Sequence, residues 1–185
     1  MSAPKPTITL HVVASLDGFI ARHDNNVSWL DTPADVYEPG VAEGSMGEGM
    51  GAIDCFVLGS RTYEHALVLG WPYGDIPTIV TTHRQLPSAR ASVEFYAGDF
   101  KKLVEEVLAP RHKNIWLVGG AILAQEFLKL GLVDEIRLMI APVLLGDGLR
   151  LFGTSGPESR WRLKNVVAYK TGYVELAYAR ASAAP

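Results

Sequence analysis

A strand that runs through two glycines directly into a helix constrains this fold more than any other feature of the sequence. The apolar run at 115–118 predicts a buried strand, and apolar side chains recur at helical spacing from Leu123 to Leu130. Gly119 and Gly120 separate these segments, so a ligand's phosphates can approach the N–H groups and the positive dipole end of the helix. The same glycines can equally serve only a tight turn and close packing. The junction predicts an α/β fold and leaves phosphate binding as one of two interpretations.

Strand-like and helix-like segments alternate along most of the chain, which ends in a pair of strands. Lys170-Thr171-Gly172 separates the last two strand-like runs and is typical of a hairpin turn. This order predicts a three-layer α/β/α fold with a mostly parallel central sheet and an antiparallel C-terminal edge hairpin. Strands are predicted at 7–14, 53–58, 77–82, 93–96, 115–118, 134–143, 162–169 and 173–179, and helices near 33–39, 60–67, 99–109 and 121–130.

The composition predicts one domain over residues 1–185. Apolar residues make up 48% of the chain, enough to bury a core without disulfides. The formal net charge of −3, without a Lys/Arg cluster, argues against nucleic acid or an anionic membrane as a partner, because such binding neutralises phosphates. No apolar run approaches the roughly 20 residues of a membrane span, and no signal sequence is evident. We therefore expect a cytoplasmic protein.

Disulfide and metal chemistry are not expected. Cys55 is the only cysteine, and its apolar neighbours predict a buried thiol in a strand. The 5 histidines are scattered, without the H-x-x-x-H or C-x-x-C spacing of a metal site.

A glycine-rich stretch at 44–51 superficially resembles a nucleotide-binding loop. No strand precedes it, so the mechanism of a G-x-G-x-x-G motif has no structural frame there. We expect a flexible connection over residues 40–51.

A second strand–helix junction follows the predicted strand at 53–58. Gly59 ends this strand, and Arg61 supplies a permanent charge with a planar fork suited to phosphate. Ser60 and Thr62 can donate to phosphate oxygens and can cap the helix. Without further information, Ser60 can simply be an N-cap and Arg61 a solvated charge. Two such junctions can hold the two ends of one dinucleotide.

Three segments of the chain carry a resemblance to a known family. They are Val12 to Ala21 with S-L-D-G-F-I, Phe56 to Glu64 with G-S-R-T-Y-E, and the block at 115–152. In order and spacing they resemble the dihydrofolate-reductase-like superfamily. Within it, the nearest group is the reductase domain of the bifunctional riboflavin-biosynthesis deaminase-reductase, together with its stand-alone relatives. The resemblance covers nearly the whole chain.

The resemblance implies an NADPH-dependent reductase of a small heterocyclic substrate. In the family, hydroxyl and basic side chains after the strand at 77–82 surround the 2′-phosphate of the adenosine ribose, which favours NADPH over NADH. His83 and Arg84 follow that strand here, and they can also be ordinary exposed loop residues. A homodimer built partly through the C-terminal strands is implied as well. The implied cofactor-binding residues are Ile20, Gly59, Ser60, Arg61, Thr62, Thr81, Thr82, Val118, Gly119, Gly120, Ala121, Ile122 and Leu123.

Two carboxylates, Asp17 and Asp35, are candidates for the catalytic handling of a proton, and Trp29 and Tyr63 are implied to face the substrate. Asp17 lies in the loop that the family places over the nicotinamide, and alternatively forms an Asp-Gly turn with its own backbone. Asp35, with Asp31, lies in a stretch similar to the pterin-contacting W-x-x-P-x-D region of dihydrofolate reductases. Asp35 can instead complete a capping box with Thr32 at the start of a helix.

The chain also departs from the family's pattern. Val118 stands where the riboflavin-pathway reductases usually carry an acid before the paired glycines, which removes a polar contact from the cleft. The zinc signature of a deaminase is absent.

From the resemblance we expect hydride transfer to a pterin- or pyrimidine-like substrate. This substrate would be related to that of the riboflavin-pathway uracil reductase or of dihydrofolate reductase. The alternatives are a catalytically silent NADP(H)-binding sensor or interaction module, and a cleft for a flavin or a mononucleotide.

Overall fold

The computed structural model describes residues 5–30, 52–88, 90–153 and 157–181, which fall into two compact units. The first unit contains residues 5–10 and 52–134, and the second contains residues 11–30 and 135–181. Strand β1 (Thr7–Ser15) contributes its first half to one unit and its second half to the other. The predicted helix near 33–39 and the predicted loop at 40–51 lie outside the described residues, as does Asp35.

The first unit is built on parallel strands in the order β5-β4-β3-β6-β1. Residues Cys55 to Leu58 of β3, the second of these strands in chain order, are all buried, as expected where helices cover both faces of a parallel sheet. The strand bounds, after β1, are β3 Cys55–Gly59, β4 Thr78–Thr81, β5 Val93–Tyr96 and β6 Asn114–Gly119. These strands confirm the parallel part of the predicted sheet.

Three helical segments follow these strands along the chain. Helix α1 (Ser60–Val68) follows β3 directly, and helix α3 (Ala121–Lys129) follows β6 after Gly120. Helix α2 (Phe100–Lys102) begins at Asp99, whose carboxylate accepts hydrogen bonds from the backbone N–H groups of Lys101 and Lys102, and continues as a π-helical turn over Leu103–Leu108. The predicted apolar face of α3 is confirmed, since Leu123 and Phe127 are buried.

An aromatic cluster fills the core of the first unit. Phe56, Tyr63 and Trp71 are buried, and Tyr73 and Trp116 pack against them. The ring of Tyr63 meets that of Trp71 edge-on at a centroid distance of 5.9 Å. This packing fixes the position of α1 on its strands.

The second unit contains antiparallel pairs. Strands β7 (Glu135–Ala141) and β9 (Trp161–Ala168) flank β10 (Val174–Arg180), and the order in this unit is β1-β7-β10-β9. The predicted C-terminal hairpin is confirmed, with the N–H of Gly172 donating to the carbonyl of Tyr169 at 2.9 Å.

Polar side chains are buried between these strands. The carboxylate of Glu175, which is 1% exposed, accepts a bond from the Arg137 guanidinium at 2.9 Å, and His11 lies 3.7 Å from the same carboxylate. Burial, reinforced by the charge of Arg137, lowers the pKa of His11 to about 4. A buried ion pair beside a neutral histidine is therefore part of this core.

A small ribbon completes the second unit. Strands β2 (Phe19–Ala21) and β8 (Leu149–Arg150) pair antiparallel, and neither was predicted from the sequence. A Cβ at Gly148 would lie 2.3 Å from the carbonyl oxygen of Ala21, so only glycine lets the two segments pass this closely.

Candidate cofactor-binding site

The two strand–helix junctions predicted from the sequence lie side by side at one edge of the first unit's sheet. Leu58 of β3 pairs with Gly119 of β6, and Gly59 pairs with Thr81 of β4. The carboxyl ends of β4, β3 and β6 therefore stop at the same level. This edge of an open parallel sheet is where ligands bind in α/β folds.

Gly119 and Gly120 adopt a backbone that side chains rarely tolerate. Their φ angles are +96° and +89°, and Gly120 is exposed at the start of α3. A Cβ on Gly120 would lie 3.3 Å from the hydroxyl oxygen of Thr62. The glycines thus leave an open backbone surface at the helix start, beside the other junction.

Thr62 ties the two junctions together. Its hydroxyl donates a hydrogen bond to the carbonyl oxygen of Gly119 at 3.1 Å. Because a trans peptide is planar with its C=O and N–H in opposite directions, this bond also fixes the direction of the Gly120 N–H, away from Thr62. The sequence had suggested that Thr62 donates to phosphate or caps its own helix, and the structure assigns its hydroxyl proton to Gly119 instead.

Helix α1 begins without a side-chain cap. Gly59 is its N-cap, with an ordinary φ of −83°, and Ser60 is its first helical residue. The suggestion that Ser60 is an N-cap is therefore wrong, because the chain becomes helical one residue earlier. Arg61 is exposed in the first turn, so its guanidinium is accessible to an anion at this edge.

The predicted segment 118–123 divides between surface and core. Val118 is partly buried against the aromatic cluster, and Leu123 is 6% exposed and packs in the core. Ala121 is half-buried and Ile122 is 73% exposed. The surface that a ligand can reach consists of the backbone at Gly120 and the first turn of α3, so Leu123 supports the site from beneath.

Thr81 ends β4 and Thr82 follows it directly, and the two hydroxyls have different hydrogen-bonding roles. The hydroxyl of Thr81 donates to the carbonyl oxygen of Leu58 at 3.3 Å. The hydroxyl oxygen of Thr82 accepts from the backbone N–H of Arg84 at 2.9 Å, which leaves its proton available to a ligand. Thr82 is half-buried at the same edge of the sheet.

Arg84 forms a two-pronged ion pair with Glu64 of α1. The distances are 3.0 Å from Nη1 to Oε2 and 2.6 Å from Nη2 to Oε1. The bond from Arg84 lowers the pKa of Glu64, and Glu64 raises the pKa of Arg84. The guanidinium predicted to bind phosphate is therefore engaged by a carboxylate of the chain itself. No local sequence pattern indicates this pairing, because the two residues are 20 positions apart.

Tyr63 lies in the core rather than at a substrate surface. It is 1% exposed, and its hydroxyl donates to the carbonyl oxygen of Pro87 at 2.8 Å. Its position on the buried face of α1 explains this placement, since Ala66, three residues later, is buried as well. The substrate-binding role predicted for Tyr63 is corrected to a packing role.

In the second unit, Asp17 clamps two loops together. Its carboxylate accepts bonds from the hydroxyl of Ser15 at 2.5 Å and from the backbone N–H groups of Leu145 and Gly146 at 3.1 and 2.7 Å. The bond from Ser15, followed by those from the backbone, lowers the pKa of Asp17 to about 2. Asp17 therefore carries no proton to donate at neutral pH. The suggested Asp-Gly turn is present as well, since the N–H of Gly18 donates to the carbonyl of Ser15 at 2.9 Å and the backbone N–H of Asp17 itself helps to lower the pKa of its carboxylate. The long-range clamp is added to this turn.

The remaining predicted residues of this unit are partly covered. Ile20 is half-buried in β2, and Trp29, in the 3-10 turn Ser28–Leu30, is 7% exposed. The hydroxyl of Tyr173 donates to the carbonyl oxygen of Leu30 at 2.8 Å and holds this turn. Asp31 and Asp35 lie outside the described residues, and their roles stay predictions.

The described ranges contain neither a cluster of metal-ligand side chains nor a membrane-spanning helix. There, no three His, Cys, Asp or Glu residues lie close enough to hold a metal ion. No helix in the same ranges is both long and apolar enough to cross a membrane.

Comparison with known proteins shows the family to which this chain belongs. Dihydrofolate reductase from Enterococcus faecalis, solved in complex with NADP(H) and RAB-propyl, has the same fold, with a TM-score of 0.63 at 14% identity over 96% of this chain and 98% of the enzyme. The fold is thus dihydrofolate-reductase-like, as predicted. The profile of the RibD C-terminal domain matches residues 56–175, and the chain belongs to that family.

Two relatives show how the family extends along the chain. YwjB of Bacillus subtilis (strain 168), an uncharacterized protein, is 32% identical over 174 residues, which cover 93% of this chain and 97% of YwjB. The 2,5-diamino-6-ribosylamino-4(3H)-pyrimidinone 5′-phosphate reductase of Aquifex aeolicus (strain VF5) is 32% identical over 104 residues, or 50% of this chain and 46% of the reductase. The chain therefore matches a stand-alone relative over nearly its full length.

Proposed function

We propose that this protein is an NADPH-dependent reductase that transfers hydride to a small pterin- or pyrimidine-like heterocycle. The observation that carries the proposal is that two helices begin side by side, where the paired strands β3 and β6 end. A hydrogen bond from Thr62 to Gly119 joins these two helix starts. Membership of the RibD C-terminal domain family and the resemblance to a pyrimidinone phosphate reductase support the reaction class. We expect the protein to act in the cytoplasm.

The residues at this edge fit a dinucleotide. Gly120 leaves the space that a phosphate needs, since a Cβ there would already press on Thr62. The N–H groups of the first turn of α3 have no carbonyl partner within their own helix and are suited to phosphate oxygens. Arg61 adds a positive charge, and Thr82 offers a hydroxyl proton. When bound, the nicotinamide would supply the hydride.

The protein must position the acceptor and exclude water, and a proton must be supplied separately. Asp17 does not fit the role of proton donor, because three donors hold it ionised. We propose instead that Asp17 positions its loop through its bonds to Leu145 and Gly146. Asp35 remains the other carboxylate proposed to contact the substrate.

A screen of turnover tests the reductase proposal. Purified protein is mixed with NADPH and with oxidised pterins or phosphorylated and unphosphorylated pyrimidines, and NADPH oxidation is followed by absorbance. We expect oxidation with at least one heterocycle, and the Gly120→Val variant serves as a blank for the site. Tight NADPH binding without oxidation of any compound would contradict catalysis.

One observation favours a second candidate, the catalytically silent NADP(H)-binding module. Asp17 is committed to a clamp, and Val118 offers no polar group before the glycines. A silent module would bind NADPH tightly and would lack turnover with any heterocycle. Cofactor affinity and turnover measured on one preparation separate the two candidates.

We also propose that the protein forms a homodimer. The outer strand β9 leaves Leu163 and Val166 52% and 51% exposed, and exposed apolar side chains on an edge strand favour pairing with another chain. Light scattering after size-exclusion chromatography should give a molar mass of twice the 20.1 kDa chain mass. The Leu163→Lys substitution should lower this molar mass towards that of the monomer. A monomeric wild-type protein at micromolar concentration would contradict the proposal.

A further inference from the structure

Glu64 holds the guanidinium of Arg84, which the family resemblance implies would bind the 2′-phosphate of the cofactor. We infer that Glu64 is a specificity-determining residue, which weakens the preference for the phosphorylated dinucleotide over the unphosphorylated one by occupying the guanidinium of Arg84. This inference rests on the proposed function, in that it assumes a dinucleotide at the edge where β3, β4 and β6 end.

The backbone of Arg84 is anchored at that edge. Thr81 pairs with Gly59, the N-cap of α1, so β4 ends beside the start of this helix. The N–H of Thr82 donates to the carbonyl of Tyr96 at 2.9 Å, and Thr82 in turn accepts from the N–H of Arg84. The Arg84 side chain therefore extends from an anchored point just beyond β4 to Glu64 of α1.

The guanidinium presents its fork to Glu64 alone among the contacts described for it. Both terminal nitrogens bond to the carboxylate, at 3.0 and 2.6 Å, which is the two-pronged geometry that guanidinium also uses for phosphate. A phosphate that recruits Arg84 must therefore share or displace the carboxylate. A ribose with a free 2′-hydroxyl meets no such competition, because a carboxylate accepts a hydrogen bond from a hydroxyl.

The charges at this edge lead to the same conclusion. Arg61 and Arg84 contribute two positive charges, and Glu64, which is influenced by both, contributes one negative charge. A phosphate placed beside Arg84 is repelled by Glu64, whereas a neutral hydroxyl is not. Glu64 therefore acts selectively against the phosphorylated ligand rather than against dinucleotides in general.

The pair is a suitable target because its loss should cost little stability. The Arg84 and Glu64 side chains are 56% and 44% exposed, and exposed ion pairs contribute little to folding. Glu64→Gln keeps the shape of the side chain and removes its charge. A matched control is Glu94→Gln, which breaks another two-pronged pair of the same unit, with Arg111 at 2.9 Å.

The test is calorimetric titration of NADPH and NADH into the wild-type protein and the variants Glu64→Gln, Arg84→Gln, the double variant and Glu94→Gln. We expect Glu64→Gln to raise the ratio of NADPH to NADH affinity about tenfold, as expected for one like-charge contact at a partly exposed site. Arg84→Gln should lower the ratio. The Glu64→Gln effect should shrink in the double variant, and Glu94→Gln should change the ratio less than twofold.

Three results would overturn the inference. If both dinucleotides bind and Glu64→Gln leaves the ratio unchanged, the inference fails and the proposed function stands. An equal rise with Glu94→Gln would show a general charge effect and would also overturn it. If the wild-type protein binds neither dinucleotide, the proposed function fails together with the inference. Thermal unfolding of each variant confirms that the protein titrated is folded.

Discussion

The two helix starts at the edge of the first unit's sheet differ in what they offer a ligand. The junction after β3 has an ordinary backbone, with Gly59 at a φ of −83°, and presents the side chains of Arg61 and Thr62. The junction after β6 presents backbone, with Gly119 and Gly120 at positive φ. One therefore supplies the charge of Arg61, and the other supplies open N–H groups. The bond from Thr62 to Gly119 makes them one site.

The largest effect should follow from a side chain at the second junction. Gly120→Val places a β-branched residue at a φ of +89° and presses on Thr62, so we expect NADPH binding to be lost and the free energy of unfolding to fall by about 2 kcal/mol. Titration and chemical denaturation measure the two effects. A folded Gly120→Val protein that binds NADPH as tightly as the wild type would place the site elsewhere.

A smaller loss is expected when the connection between the junctions is cut. Thr62→Val removes the hydroxyl that holds the Gly119 carbonyl, and we expect NADPH and NADH affinities to fall together by about tenfold, with a stability cost of about 1 kcal/mol. Thr62→Ser keeps the hydroxyl and should retain most of the affinity.

Thr78→Val is the matched control for this variant. It removes a comparable hydroxyl bond, to the carbonyl of Ile76 at 3.0 Å, at the opposite end of the strands. It should cost similar stability and leave cofactor affinity unchanged. If Thr62→Val, like Thr78→Val, lowers stability and leaves cofactor affinity unchanged, the bond from Thr62 to Gly119 has only a structural role.

Removing the charge of the first junction should discriminate between cofactors. Arg61→Gln should weaken NADPH binding by about fivefold and NADH binding by less, because the phosphorylated dinucleotide carries the greater negative charge. The salt dependence of NADPH binding should also become shallower. Lys101→Gln, an exposed charge change in α2, is the control, and equal effects of the two variants would exclude a specific role for Arg61.

The smallest effect is expected for Gly59→Ala. A Cβ at Gly59 meets only the carbonyl oxygen of Gly119, at 3.9 Å, and its φ suits any residue. We expect the free energy of unfolding to fall by less than about 1 kcal/mol, because Ala is a poorer N-cap than Gly, and NADPH affinity to change by no more than about twofold. If Gly59→Ala lowered NADPH affinity as much as Gly120→Val, the two junctions would contribute to binding in the same way, which would contradict the difference between them.

The parts of this fold that sequence predicts are those governed by local pattern. Strand β3 and strand β6 are continuous apolar runs, and the glycines that end them mark the junctions, because burial and backbone freedom leave traces in neighbouring residues. Helical spacing places Tyr63 on the same face as buried Ala66, so the position of Tyr63 in the core could also have been predicted from the sequence.

Contacts between distant residues were not predictable in this way. The Asp17 clamp joins residues 129 positions apart, and the Thr62 tie joins residues 57 apart, so no local pattern records either. The pairing of Glu64 with Arg84 depends on where β4 ends relative to α1. The ribbon strands β2 and β8 contain 3 and 2 residues, too few to show a period of two.

The most direct test of the site is the mapping of NADPH binding onto backbone amides by nuclear magnetic resonance of the isotope-labelled protein. The account predicts the largest shift changes at Gly120, Ala121, Ile122 and Arg61. Saturable binding with its largest changes at the opposite end of the same strands, around Cys55 and Asn114, would contradict the account.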